Sequence, residues 1–127
     1  MKITRHIARL LLGLIFLTFG LNGFLHFIPM PPPSGLAGQY MGALFVSHYL
    51  VAIFLLQTIG GALLLANRSV ALALVLLGPI VVNILLFHFL MAPAGLPLAI
   101  VVLALWLIVF AGVRHAFAGI FAAREKA

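Results

Sequence analysis

Apolar residues fall into four long runs separated by short polar or proline-rich breaks: Ile7–Phe27, Ala43–Ala66, Val70–Met91 and Leu96–Ala118. A helix of about 20 apolar residues, rising 1.5 Å per residue, crosses a hydrocarbon core of roughly 30 Å. Open strands in lipid would leave backbone groups unpaired, so the runs predict helices. The breaks fit that reading. Pro29, Pro31, Pro32 and Pro33 end the first run and begin a stiff connection. Asn67 suits a left-handed C-cap and Ser69 an N-cap, making 66–69 a tight turn. Pro93 and Gly95 turn the third run into the fourth, Pro97 fits a first helical turn, and Gly78-Pro79 predicts a kink in the third run. Short connections make sequential helices antiparallel neighbours, so the expected fold is all-α: one domain over 1–127, an integral membrane four-helix bundle running up-down-up-down.

Charge orients this bundle. All seven Lys and Arg residues lie at one side of the implied membrane. Lys2, Arg5 and Arg9 precede or open the first run, Arg68 separates the second from the third, and Arg114, Arg124 and Lys126 follow the fourth. The connections 29–42 and 92–95 carry no charge. Positive residues mark the cytoplasmic side, so both termini are expected there. The apolar stretch after the basic start is long for a secretory signal and has no small-x-small cleavage site, which predicts a retained helix.

Composition narrows the function classes. Only 6% of residues are charged, against about a quarter in soluble domains, which excludes an ordinary soluble fold. The net charge of +6 is scattered over separate segments without interleaved aromatics, so nucleic acid is not an expected partner; a lipid bilayer is. Cysteine is absent and the sole acid is Glu125. Thiolate chemistry and a carboxylate proton relay within the membrane are therefore excluded.

The polar residues left in the spans gather at one level. His26, His48 and His88 all fall within about two helical turns of the uncharged side. Thr18, Asn22 and His26 recur every fourth residue and share a helix face, expected to point inward. Asn83 and His88, five residues apart, lie roughly 140° apart on a straight helix. In the second run Ser47 and Thr58 share one side, and Gln57 with Gly60 and Gly61 another; small residues such as Gly13, Gly20 and Gly23 permit close helix contact. A polar pocket lined by Asn22, His26, His48, Asn83 and His88 is the candidate site, with Gln39 and Tyr40 over its mouth. Its chemistry suits a quinone headgroup, a haem held by two histidines, or copper or zinc held by three. The plainer alternative is that the histidines snorkel to water while Asn and Thr knit helices. His6 and His115, on the basic side, read as headgroup contacts, and mid-helix Trp106 needs a partner for its N–H. Leu21-Asn22-Gly23-Phe24-Leu25-His26-Phe27 and Val82-Asn83-Ile84-Leu85-Leu86-Phe87-His88-Phe89 echo one another, as in a repeat of two hairpins.

The stretch Arg9–Gly23, with Gly13, Thr18, Gly20 and Asn22, resembles the first helix of the DoxX and DoxX-like family. Gln57-Thr-Ile-Gly-Gly through Asn67-Arg68 is similar to that family's second helix and turn, and Asn83-Ile-Leu-Leu-Phe-His88 to the third helix of some members. The resemblance covers roughly residues 9 to 118. It implies a four-helix protein of the bacterial inner membrane, associated with oxidoreductase partners and quinone-linked oxidation. Many members carry Glu where this chain has Gln57, a departure that removes an ionisable group.

The functional expectation is a quinone-interacting or non-catalytic subunit of membrane oxidoreductases. No chemistry is expected of the chain alone, because it lacks thiols, carboxylates and a nucleophile–base pair. Its rivals are a scaffold or assembly factor without ligand and a small-solute carrier or channel, the latter as a homo-oligomer.

Overall fold

The computed structural model describes residues 2–121; Arg124, Glu125 and Lys126 lie outside them. The described residues form five α-helices, α1 (Lys2–Leu25), α2 (Gly35–Val46), α3 (Tyr49–Ala66), α4 (Val70–Leu90) and α5 (Leu96–Val113). Short 3₁₀ segments, Pro93–Gly95 and Arg114–Phe121, flank α5. Four stretches are long and apolar enough to cross a membrane: Lys2–Leu25, Tyr49–Ala66, Val70–Leu90 and Pro93–Ile120. They close a ring in which α1 packs on α3 and α5, and α4 packs on the same two.

The glycines set the register. Gly13 lies against Gly61 and Leu64, Gly20 against Thr58, and Gly23 against Phe54, so the partner numbers fall along α3 as those along α1 rise. The two helices are therefore antiparallel. Gly60 meets Leu77 of α4, and Gly112 of α5 meets Arg5 of α1. Leu12, Leu64, Leu74 and Leu77 are fully buried, and they cluster with Ala8, Phe16 and Val109 towards the basic end. Leu14, Leu55, Val75 and Leu107 point outward at half exposure or nearly so, as side chains turned to lipid would.

The second apolar run is not one helix. Expected as Ala43–Ala66, it breaks at Ser47–His48, and its first residues belong to α2, which starts at Gly35 inside the connection expected to be a proline-stiffened loop. His48 takes a left-handed conformation (φ 63°) and turns the chain. The Ser47 hydroxyl donates to Leu44 O (3.2 Å) and accepts from the Tyr49 N–H (3.3 Å). Serine offers the backbone such local bonds in place of helical ones, and hydropathy does not register them.

Other boundaries also shift. The first helix spans Lys2–Leu25 in place of Ile7–Phe27, because His26 is left-handed (φ 54°) and Asn22 Oδ1 accepts the Ile28 N–H at 2.7 Å. The third ends at Leu90, one residue before Met91, and the fourth tightens into 3₁₀ geometry after Val113, short of Ala118. The 66–69 turn is tight, and Asn67 is left-handed (φ 54°) as expected. Arg68 N–H donates to Leu63 O (3.0 Å) and Asn67 N–H to Leu64 O (3.2 Å), the paired bonds of a Schellman turn. Ser69, however, is left-handed and makes no side-chain cap; only its carbonyl contributes, accepting the Ala73 N–H at 2.9 Å.

Trp106 finds its partner across the α4–α5 contact. Its indole N–H donates to Leu74 O (3.2 Å), and its ring lies over Gly78, next to Pro79. A Trp106→Phe variant keeps the apolar face and the stack on Phe110 (centroids 5.4 Å apart) but loses that bond. We expect it to destabilise the protein by about 1 kcal/mol, read as a lowered unfolding midpoint in detergent. An unchanged midpoint would mean that the indole N–H contributes nothing.

Candidate functional site

Opposite the packed basic end lies a cavity of about 950 Å³, bounded by α1, α3, the end of α4, the start of α5, the proline segment 29–33 and the end of α2. Pockets that bury most of a small ligand span about 300–1,000 Å³ and are chiefly apolar with a few placed polar groups. Phe16, Phe19, Phe54 and Val102 belong to the apolar wall. Along α1 the lining runs from Ile15 to Phe24, a depth of roughly 14 Å at 1.5 Å per residue.

Four of the five sequence candidates reach this cavity: Asn22, His26, His48 and His88. Each is placed by a break in the helices. Asn22, buried at 7% exposure, spends its side-chain oxygen on the Ile28 N–H and so holds the end of α1. His26 and His48 are the two left-handed residues that end α1 and separate α2 from α3, and both are exposed at the rim. His88 is half-buried, and its Nδ1 lies 3.2 Å from Ala92 O. A carbonyl only accepts, so Nδ1 carries the proton and Nε2 of the neutral ring is left as an acceptor. Gly95 makes room for this imidazole, since a Cβ there would meet His88 Cε1.

Asn83 does not join them. Its Oδ1 accepts from the Tyr40 hydroxyl (3.2 Å), and the Tyr40 ring lies 5.6 Å from that of Phe87, so the pair fastens α2 to α4 outside the cavity lining. The five-residue separation from His88 had already put the two on different faces.

Two polar residues matter that the candidate set lacked. Gln57 lines the cavity at only 8% exposure, and its amide has no hydrogen-bond partner among the described residues. Its signal was present in the sequence: a lone amide in an apolar run, on the same side as Gly60 and Gly61. The other is Arg9, also 8% exposed, whose guanidinium donates to Leu64 O and Leu65 O at the end of α3 and to His6 Nδ1.

The cavity thus offers amide donors and acceptors in its depth, an imidazole acceptor at His88 and two imidazoles at the rim. Among the described residues no three His, Cys, Asp or Glu side chains are grouped to hold a metal ion. The histidines share a cavity without converging, which does not fit the three-histidine copper or zinc site. Set against protein-family models, curated proteins and solved structures, the chain matches none.

Proposed function

We propose that this chain is a small multi-pass membrane subunit that binds a quinone-type ring in the cavity and serves membrane oxidoreductases without performing chemistry itself. The observation that carries the reading is Gln57: a residue only 8% exposed, whose amide has no partner among the described residues, on the wall of a largely apolar cavity. Its amide atoms are not sealed off from the cavity, and a ligand with complementary groups gains about 0.5–1.5 kcal/mol for each hydrogen bond made to them. Quinone carbonyls accept from the Gln57 and Asn22 amides, and quinol hydroxyls donate to His88 Nε2. The apolar walls suit the isoprenoid tail. The lining contains no thiol or carboxylate, which favours binding over turnover.

The positive-inside pattern supports cytoplasmic termini, with the cavity towards the opposite, periplasmic side. The resemblance to the DoxX family adds the bacterial inner membrane and the oxidoreductase partner to this reading. Gln57 stands where many members of that family carry Glu, so the group offered here is a neutral amide.

Short-chain ubiquinone and menaquinone analogues test the proposal. At a concentration a hundredfold above Kd, a ligand adds about 2.7 kcal/mol of stability, so the wild type should unfold at a clearly higher temperature with the analogue present. Gln57→Leu should weaken binding roughly tenfold, the equivalent of about 1.4 kcal/mol, while leaving the ligand-free protein as stable as before or more so. A wild type indifferent to both analogues would sink the quinone reading.

A further inference from the structure

At the other end of the bundle a second cleft, of about 260 Å³, opens between the first turns of α1, the α3–α4 turn and the end of α5. Lys2, Arg5, His6 and Arg9 line it from α1, with Asn67 from the turn and Gly112 from α5. Lys2, Arg5 and Arg9 are spaced three and four residues apart and share one helix face. Gly112 lets α5 approach that face, since a Cβ there would lie 2.7 Å from Arg5 Cδ. Arg9 donates to His6 Nδ1 (3.0 Å), so the imidazole carries its proton on Nε2 and is also a donor.

The cleft gathers N–H donors and positive charge. None of its described lining residues is acidic, and the whole sequence holds a single acidic side chain against seven Lys and Arg. The three cations on α1 therefore keep an excess of positive charge whatever that one carboxylate does. Like charges on one helix face repel, and a bound anion relieves the repulsion. Val70, Val109 and Val113 complete the lining as an apolar floor, and the cleft sits at the basic ends of the four stretches long and apolar enough to cross a membrane.

Cations over an apolar floor, at the ends of helices long enough to cross a membrane, match one kind of ligand: the phosphodiester of a membrane lipid. Basic pockets at the ends of membrane helices bind such headgroups. We infer that the cleft of Lys2, Arg5, His6 and Arg9 binds the headgroup phosphate of an anionic glycerophospholipid. This site is independent of the quinone cavity.

The protein in neutral detergent is titrated with phosphatidylglycerol, phosphatidylcholine or inorganic phosphate. Native mass spectrometry counts retained lipid, and thermal unfolding reports stabilisation. Phosphatidylglycerol should be retained and raise the midpoint, while phosphatidylcholine and inorganic phosphate at equal concentration do neither. The K2Q/R5Q variant should bind phosphatidylglycerol roughly 30-fold more weakly, from about 1 kcal/mol per cation. K2Q alone should lose roughly fivefold on the same basis and stands in if the double variant does not purify. The R68Q/R114Q variant removes the same charge from residues outside the cleft lining, and its affinity should stay near that of the wild type. Equal losses in the two double variants would show diffuse attraction and overturn the site. Retained affinity in K2Q/R5Q, or in K2Q alone where only that variant purifies, would overturn it as well. An equal midpoint shift with inorganic phosphate would assign the cleft to a free anion and overturn the lipid.

Discussion

Gly61→Leu is expected to abolish the monodisperse folded protein. A Cβ at this position would lie 2.4 Å from Leu17 N, 2.8 Å from Gly13 O and 2.9 Å from Leu17 Cα. All three are backbone atoms of α1, so no rotamer change relieves the clash and the helices themselves must part. The α1–α3 pairing is the most extensive in the bundle. In lipid, no hydrophobic force compensates for lost contact; helix association depends on close packing and interhelical bonds. Gly61→Ala, which adds only the Cβ, should already cost about 3 kcal/mol, the upper range for overpacking. Gly42→Ala is the control, because a Cβ there meets nothing within 4 Å. Size-exclusion profiles and unfolding midpoints in detergent check all three. A Gly61→Leu protein that eluted and melted like wild type would mean that α1 and α3 do not approach in this way.

The same contact bears on the cavity. Where Gly13 faces Gly61 the two backbones nearly touch, and the core around Leu12 and Leu64 is sealed. Ten residues along α1, Gly23 faces the ring of Phe54, which also meets Phe24 edge-on with centroids 6.2 Å apart. At that level bulky aromatic rings line the cavity in place of backbone on backbone. Helix contact at one end and room at the other thus come from one pair of helices, and disturbing Gly61 should disturb ligand binding through the walls.

The spans were legible because lipid imposes a length and a composition that few other environments do. Asn67 was legible as well, since asparagine tolerates a left-handed cap. The breaks at His26, His48 and Ser69 were not. All three hold a positive φ without being glycine; histidine is enriched there among the other residues, but a lone His or Ser beside an apolar run does not fix the place of a turn. The site shows the same division. Counting turns put the histidines at one level, and four of the five candidates do share the cavity, but Asn83 was drawn off by Tyr40, a partner 43 residues away. Such a pairing depends on α2, a helix hidden in a connection read as loop. Arg9 was read as a topology signal because its partners, Leu64 and Leu65, lie 55 and 56 residues distant.

Arg9→Met is expected to destabilise the protein by about 1.5–3 kcal/mol, the range for a hydrogen bond to a charged group. The last four carbonyls of a helix lack intrahelical partners. In α3, Leu63 O and Leu64 O accept from the Arg68 and Asn67 N–H groups, and Arg9 adds its guanidinium to Leu64 O and Leu65 O, the latter at 3.4 Å. A cation at a helix C-terminus also meets the negative end of the macrodipole. Methionine retains most of the apolar stem but supplies neither charge nor donors. Lysine separates the two roles of this residue: it preserves the positive-inside charge, yet a single ammonium cannot reproduce the fork that reaches two carbonyls and His6 Nδ1. Arg9→Lys should therefore fall between wild type and Arg9→Met in unfolding midpoint. If lysine matched arginine in full, charge alone would explain the residue. If methionine were as stable as arginine, the bonds to α3 would contribute nothing, and Arg9 would matter only for orientation in the membrane.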